Sequence, residues 1–594
     1  MHSTVVLRSR TRRLGCLYTT ATLLLVLALC TGAGAEAPAS PPILTVSQIH
    51  PGMRGTGYTI LAGDTIEAFD FEVVGVMPNL IGPKADIILV KLTGGTAKEF
   101  GVAAGMSGSP LYIDGKLIGA LSLRFGEFTR DAIGGVTPIE DMFNSNASVG
   151  EPALVHSAAG NAPEWVARTL QPTPIETPLI ISGFYRSVLV RFADKFAALG
   201  MTLGQGGAVD DTQNGRALRP GDMAAMVLAR GDLTLSASCT VTAVVGDRIF
   251  ACGHPVLGFG KVSMPLARAH VLTTIASPLS PTKLINVGNL IGTVTEDRSG
   301  AVVGRLGPAP PMIPVELAIK TSAAEQHLHF EVVNHPQLTP LLVALATLNG
   351  LSANVSSIGD SALQLTGTIL LDHHGAVQLQ DTFAPSEQSF TNEYLVASSL
   401  EGLLSRIFNN PYEDVKINGV ELALRGIPEH RWARIDNAWT EKAEVTGGET
   451  VAVKVLLRPY RGPAFVQTVP VKIPRDVSHG PLRIMVSDSD SLNRTTHLFT
   501  SDPQIRLAGI DEFIRLQNRY QRNDWLYVSI LQPSPTVLLQ DKELPNSPIS
   551  QVMLLGPRRD SGDTVLLWES AVGQWSVPMD QVITGQQFLT IMVR

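Results

Sequence analysis

The segment most suggestive of chemistry is a turn around Ser107, where residues 105–110 read Gly-Met-Ser-Gly-Ser-Pro. A serine nucleophile must stand on a tight turn where backbone N–H groups converge on the oxygen of the attacked carbonyl. Gly105 lacks a Cβ, so its peptide can aim an N–H at that oxygen, and Gly108 lets the chain fold back. The turn predicts acyl transfer at Ser107, with the N–H groups of Gly105 and Ser107 as oxyanion donors. The alternative is a Gly/Ser turn without chemistry.

A serine alcohol needs a general base, and His254 is the best-placed histidine. It ends an apolar strand that follows a Gly246-Asp247 hairpin turn, and Pro255 stops the strand directly after it. A histidine at the end of a core strand is held rigidly, as a general base must be. The alternative is a structural histidine.

The wider sequence around both residues resembles a known family. The Ser107 turn has the G-x-S-G-[GS]-P pattern of chymotrypsin-like serine peptidases. Residues from about 69 to 122 and from about 236 to 317 resemble the two halves of the SpoIVB-type (stage IV sporulation protein B) serine peptidases, and together they cover less than half of the chain. The resemblance implies a double β-barrel peptidase with Ser107 and His254 at its active site.

Two features depart from that family pattern. In the sporulation peptidase the histidine half precedes the serine half, whereas here Ser107 comes before His254. Such an order is compatible with catalysis because triads are defined by spatial roles and not by chain order. The family also has an aspartate shortly before the serine turn, where this chain has Thr-Gly-Gly at residues 93–95.

The acid that orients the imidazole is therefore assigned to Asp86. It opens the apolar run 87–92, which resembles the strand that holds the triad aspartate in chymotrypsin-like peptidases. An aspartate at the mouth of an apolar strand can be buried enough to orient a histidine. Asp70 and Asp141 are weaker alternatives, a Ser/His pair without an acid is another, and Asp86 can equally be an ordinary strand-opening residue.

The composition indicates a folded, multidomain chain. It has 594 residues, of which 44% are hydrophobic and 17% charged, and a formal net charge of −7. This length exceeds what one core supports, so we expect two to four domains. The negative charge argues against a nucleic-acid partner.

The N-terminus is predicted to be a signal peptide. Four arginines between residues 8 and 13 precede an apolar stretch at 16–30, and Ala33-Gly34-Ala35 is a plausible cleavage site. We therefore expect export to a periplasm or cell surface, with cleavage near Ala35. An uncleaved membrane anchor is the alternative, and no later segment predicts a membrane span.

Two cysteines follow the predicted signal peptide, and they flank the hairpin that leads to His254. An oxidising compartment would allow Cys239 and Cys252 to form a disulfide. Free buried thiols are the alternative. The chain has no C-x-x-C or H-E-x-x-H motif, so we expect neither a metal site nor a cofactor.

The strand and turn pattern predicts a mainly β fold with a chymotrypsin-like double β-barrel, followed by a β-sandwich-like accessory region with a few helices. Helices are expected near 187–199, 340–348, 392–408 and 509–519. The predicted divisions are 1–35 signal peptide, 36–150 serine-bearing barrel half, 151–176 linker, 177–372 histidine-bearing barrel half, 373–412 helical connector, 413–500 β-sandwich-like module and 501–594 C-terminal α+β tail.

These features predict an exported serine endopeptidase that hydrolyses peptide bonds through an acyl-enzyme. The alternative is a catalytically inactive peptidase-fold protein that serves as a binding or scaffold protein of the cell envelope. A third possibility is a protein that cleaves only its own linker near 144–174. The expected partner is a protein or peptide substrate, and an envelope protein is a possible partner of the C-terminal region.

Overall fold

A computed structural model provides the structure of the chain. The residues described are 41–95, 101–126, 131–144, 172–198, 202–205, 216–277, 281–322, 324–352, 362–384, 391–495, 509–532, 536–539, 542–544, 547–555, 564–567 and 570–594. The predicted signal peptide lies outside these residues. The fold is mainly β and contains a closed six-stranded barrel, which confirms the predicted class.

The first sheet follows a short 3-10 turn at Val46–Gln48 and closes into that barrel. Its strands run in the order β4-β1-β2-β3-β6-β5, the pairing of β4 with β5 closes the ring, and β7 lies outside it. A short helix, α1 (Ile139–Phe143), follows β6. The strand bounds are β1 (Arg54–Ile60), β2 (Ile66–Met77), β3 (Ile87–Leu92), β4 (Pro110–Ile113), β5 (Lys116–Phe125), β6 (Ile133–Pro138) and β7 (Pro172–Pro174).

Local sequence explains how this barrel forms around the serine turn. Side chains alternate along each strand, so Phe69, Phe71 and Val73 of β2 face one core, which they share with Met106 of the turn. The β4–β5 hairpin turns at residues 114–115, which both have positive φ, at 48° and 75°. That backbone is typical of the Asp-Gly turn predicted there.

The second sheet has thirteen strands, and six of them form a second ring. The order β10-β13-β14-β15-β12-β11 is closed by the pairing of β10 with β11. The bounds are β8 (Pro178–Ser182), β9 (Thr202–Gln205), β10 (Met223–Gly231), β11 (Thr234–Val245), β12 (Arg248–Ala251), β13 (Gly260–Ile275), β14 (Thr282–Arg298), β15 (Ala301–Leu306), β16 (Ile313–Lys320), β17 (Glu325–Val332), β18 (Ala362–Leu371), β19 (Val377–Phe383) and β20 (Ile417–Ile427).

Three helices accompany the second sheet, and all three lie close to their predicted positions. They are α2 (Arg186–Ala198), α3 (Leu338–Ser352) and α4 (Asn392–Phe408). Helix α3 is apolar on all sides and almost entirely buried, and it shares one core with α4 and the sheet. The predicted connector 373–412 is therefore part of this domain, because α4 packs on its core.

The boundary predicted at residue 413 also differs from the structure. Strand β20 pairs in parallel with β16 and antiparallel with β18, so it belongs to the thirteen-stranded sheet and not to the accessory region. Its alternating pattern is the same in either sheet, and the sequence alone does not specify the partner.

The C-terminal region is a sandwich of two sheets around one core. Four of its strands follow residue 500, so the predicted division there crosses the sandwich. Within the described residues, a small sheet, β28-β27-β29, and three helices complete the region. The bounds are β21 (Trp432–Thr440), β22 (Glu444–Val445), β23 (Thr450–Pro459), β24 (Phe465–Lys472), β25 (Gly480–Ser487), α5 (Ser489–Thr495), α6 (Ile510–Asn518), β26 (Trp525–Gln532), β27 (Thr536–Leu539), β28 (Lys542–Leu544), α7 (Ile549–Leu555), β29 (Thr564–Leu567), β30 (Ser570–Pro578), β31 (Val582–Thr584) and β32 (Gln586–Val593).

Among the described residues, no helix is both long enough and apolar enough to cross a bilayer.

Candidate functional site

The serine turn lies at the junction of the two barrels and is fully buried. Ser107 is 0% exposed, and Gly105 and Gly108 on either side have φ of 89° and 91°. Only glycine adopts this backbone without strain. The Gly108 N–H donates to the Leu121 carbonyl at 2.8 Å, which ties the turn to β5. The conformation explains why the sequence has glycine at both positions.

Strand β11 of the second barrel fixes the turn from the other side. The Thr240 N–H donates to the Ser107 carbonyl at 2.8 Å, and Thr240 Oγ1 donates to the Gly105 carbonyl at 3.0 Å. Thr242 Oγ1 donates to the Gly108 carbonyl at 2.7 Å. The backbone of the turn is thus held in place by both barrels.

The same junction holds the loop that carries His254. Gly253 has a φ of 74°, and its carbonyl accepts a hydrogen bond from Thr137 Oγ1 of the first barrel at 2.6 Å. The predicted disulfide between Cys239 and Cys252 is present in the structure and links β11 to this loop. Ser107 and His254 therefore lie on adjoining segments contributed by different barrels.

The surroundings of His254 define its tautomer. Its Nδ1 lies 2.8 Å from the Pro255 carbonyl, and because a carbonyl only accepts, Nδ1 carries the proton. The imidazole is 5% exposed, and this burial lowers its pKa, although the backbone groups of Pro255 and Ile175 act in the opposite direction. The neutral ring therefore has its lone pair on Nε2, which suits a base.

Two polar atoms of the candidate site have no hydrogen-bond partner among the described residues. Ser107 Oγ and His254 Nε2 are both buried, and they do not hydrogen-bond to each other, although the Ile175 backbone interacts with the imidazole. A buried polar atom without a partner costs about 1–3 kcal/mol. A ligand with polar groups at this junction would remove that cost.

The structure does not bring the predicted acid to the imidazole. The Asp86 carboxylate accepts the Asn79 N–H at 2.9 Å, away from His254. Of the two alternatives, Asp70 lies against Gly94, and Asp141 lies near Asp86, with its pKa raised by burial to about 6. Within the described residues, the Nδ1 partner is a backbone carbonyl.

A carboxylate that the sequence analysis missed holds the histidine loop. Asp297 on β14 is buried and accepts the N–H groups of Val256, Leu257 and Gly258 at 2.8, 2.7 and 2.8 Å. Burial raises the pKa of this carboxyl, while the N–H bonds favour its charged form. These three residues directly follow Pro255, so Asp297 fixes the position of the carbonyl that orients His254.

Lys283 is a second missed residue, and it lies directly behind the serine turn. A Cβ added at Gly105 would lie 3.1 Å from the Cδ of Lys283. The backbone N–H of Lys283 donates to the Ala104 carbonyl at 3.1 Å, and its side-chain Nζ donates to Thr59 Oγ1 at 2.7 Å. The side chain is fully buried, which lowers the pKa of its amine to about 7. A lysine within a strand-like stretch does not reveal from the sequence that it is buried beside the serine turn.

The two predicted oxyanion donors differ in their surroundings. The Gly105 N–H donates to the Glu176 carbonyl at 3.2 Å. Among the described residues, the Ser107 N–H donates to no backbone carbonyl. The first donor is therefore occupied by the chain itself.

Comparisons with known proteins do not add to this geometry. No protein-family model matches the chain, no curated protein matches it, and no solved structure matches it. Over the described part of the chain, no group of His, Cys, Asp and Glu side chains is arranged to hold a metal ion.

We predict that Gly108→Ala is far more destabilising than Gly115→Ala. Both positions have positive φ, which alone costs about 1–2 kcal/mol for alanine. At residue 108 the new Cβ would also lie 1.9 Å from the Thr240 carbonyl oxygen, whereas at residue 115 it meets nothing within 4 Å. Overpacking adds roughly 1–3 kcal/mol or more. Urea unfolding of both variants measures the difference, and equal losses would contradict the tight junction.

Proposed function

We propose that this protein is an exported serine endopeptidase. The observation that carries the proposal is the pair of buried, unpartnered atoms, Ser107 Oγ and His254 Nε2, on adjoining segments of two barrels. The motif around Ser107 and the resemblance to SpoIVB-type peptidases support the same chemistry. Export is supported by the signal-like N-terminus and by the Cys239–Cys252 disulfide, because disulfides persist in oxidising compartments.

The proposed reaction proceeds through an acyl-enzyme. His254 Nε2 takes the proton of Ser107 Oγ, and the oxygen attacks the substrate carbonyl carbon. The tetrahedral oxyanion is held by the N–H groups of Gly105 and Ser107. The C–N bond then breaks, and His254 gives its proton to the leaving amine. Water, deprotonated by the same Nε2, hydrolyses the ester and restores the serine.

In this mechanism a backbone carbonyl has the orienting role of the missing acid. The Pro255 carbonyl keeps the proton on Nδ1, so Nε2 has the lone pair that a general base needs. A carbonyl carries only a partial charge, so it stabilises the imidazolium less than a carboxylate does. Asp297 contributes indirectly, as a positioning residue for the loop.

The rival proposal is a binding or scaffold protein of the cell envelope that has the fold without turnover. Two observations favour it: Ser107 Oγ and His254 Nε2 are not hydrogen-bonded, and no carboxylate contacts the imidazole among the described residues. Reactivity of the serine distinguishes the two proposals.

We expect a fluorophosphonate probe to add once to the mature protein. Ser107→Ala and His254→Ala should each slow the labelling by about a thousandfold or more, because the two residues act as a unit. Intact mass spectrometry measures the adduct, and peptide mapping locates it. The exposed His373→Ala serves as the matched histidine control. The scaffold proposal would be favoured if the folded wild type is never labelled and a variant in which residues 175–176 are changed to loosen the segment over the site is not labelled either.

Asp297→Asn should slow probe labelling by about ten- to a hundredfold, because misplacement of a reacting group by about 1 Å has that effect. Asp86→Asn should leave the rate within about twofold, since Asp86 contacts Asn79 and not the imidazole. Labelling time courses, with circular dichroism to verify folding, compare the two. The opposite ranking would return the acid role to Asp86.

The labelling rate should also reveal the buried state of His254. Its lowered pKa keeps Nε2 unprotonated at pH 6.5, where an ordinary histidine is half charged. The acid limb of the rate against pH should therefore have its midpoint below 6.5. For the same reason His254 itself should contribute a loss of stability as pH falls below 6.5, because the unfolded histidine takes up a proton that the folded one does not, and this contribution should be missing in His254→Ala. A midpoint at or above 6.5 would contradict a buried neutral base.

A further inference from the structure

A short segment of the chain lies across the candidate site. This segment, residues 172–177, is called the strap here, and it begins with β7. Strand β7 pairs antiparallel with β5, with Pro174 opposite Leu123. Strand β4 pairs with residues 116–120 of β5, and β7 pairs with residues 123–125. Strand β6 pairs with the opposite edge of β5 over residues 119–124, so β4 and β7 share one edge of β5. The strap thus continues the sheet where the pairing of β4 ends.

The strap contacts both predicted parts of the catalytic machinery. The Ile175 N–H donates to the Ser122 carbonyl at 2.8 Å, and the Glu176 carbonyl accepts the Gly105 N–H at 3.2 Å. Ile175 is 1% exposed, and its backbone also interacts with the His254 imidazole. A peptide substrate binds to such a site in the same way: it adds as a strand to a sheet, and its carbonyl oxygen accepts hydrogen bonds from the oxyanion donors.

The one charged side chain of the strap has a specific partner. Glu176 Oε1 accepts a hydrogen bond from Arg124 Nη2 at 3.0 Å, and Arg124 lies on β5, the strand that carries the strap. Both side chains are largely shielded from water, with exposures of 18% for Arg124 and 33% for Glu176. A guanidinium suits carboxylate recognition because its planar donors match the two carboxylate oxygens.

We propose that the strap occupies the substrate channel, so that the substrates are extended polypeptides that add to β5 and carry an acidic side chain recognised by Arg124. The substrate class rests on the proposed peptidase function. It also implies that the enzyme is latent as folded, because Ser107 is fully buried and the strap occupies one oxyanion donor. Arg124 is then a specificity residue, and the strap is the competitor that each substrate displaces.

The sequence of the strap suits a displaceable competitor. Pro172 and Pro174 have no N–H, so two of the three residues of β7 cannot donate to the ladder. The strap is held mainly by Ile175, by the Glu176 carbonyl and by the ion pair with Arg124. A substrate strand without prolines makes more backbone hydrogen bonds to β5 than the strap does, so it can displace the strap.

Loosening the strap tests the latency. The double variant Ile175→Ser, Glu176→Gln removes the buried side chain and the ion pair, and we expect it to be labelled by a fluorophosphonate at least tenfold faster than wild type. Thr173→Ala, at an exposed position of β7, is the matched control and should react at the wild-type rate. Equal labelling of all three proteins would overturn the latency.

Binding of a free peptide tests the acid recognition separately from catalysis. The probe is a fluorescein-labelled peptide with the sequence of residues 172–178, Pro-Thr-Pro-Ile-Glu-Thr-Pro, added to the loosened protein that also carries Ser107→Ala. Replacing its Glu by Gln should weaken binding about tenfold in fluorescence anisotropy. Arg124→Gln in the protein should abolish that difference, whereas Arg54→Gln, on an exposed pair elsewhere in the first barrel, should preserve it.

The two arms separate the failures. If Ser107 is labelled but the Glu and Gln peptides bind equally, the substrate class is overturned and the peptidase function stands. If no variant is ever labelled, the peptidase function fails, and the substrate class fails with it. An acid preference that persists in Arg124→Gln would overturn the role of Arg124.

Discussion

The close approach of two backbones at Gly108 is the constraint on which the rest of the site depends. Any side chain there would collide with the Thr240 carbonyl of the neighbouring barrel. Because the residue has none, Thr240 and Thr242 can bond directly to the backbone of the serine turn. That contact places the serine turn of one barrel against the histidine loop of the other. Packing at a single residue therefore decides whether the two halves form one site.

Backbone groups, more than charged side chains, organise the candidate site around this contact. The imidazole is oriented by the Pro255 carbonyl, and the proposed oxyanion donors are peptide N–H groups. Of two buried ionisable residues nearby, Asp297 bonds through its carboxylate to the loop that carries His254, and Lys283 bonds through its backbone N–H to Ala104, beside the serine turn. In a water-poor junction such dipoles orient a neutral base without the cost of burying a carboxylate beside it.

The sequence predicted those parts of the structure that depend on local chemistry. The Asp114-Gly115 turn, the extent of α4 and the Cys239–Cys252 pairing follow from residues near one another in the chain. The partner of His254 was not predictable in this way, because a carbonyl is present at every residue and only the loop geometry selects one. Lys283 acts across barrels, Asp297 bonds to a loop 40 residues earlier in the chain, and β20 has the same alternation in either sheet. In each case the partner is set by contacts between residues that are far apart in the chain.

The order of the two barrels along the chain gives the strap a further consequence. In a protein that crosses a membrane N-terminus first, the serine barrel emerges before the strap, and the strap emerges about eighty residues before His254. Domains fold as they appear during synthesis. In the proposed peptidase, the strap therefore emerges after the nucleophile and before the base, and the base directly follows Cys252 of the disulfide. The order of the chain thus lets the strap cover the proposed site before that site is complete.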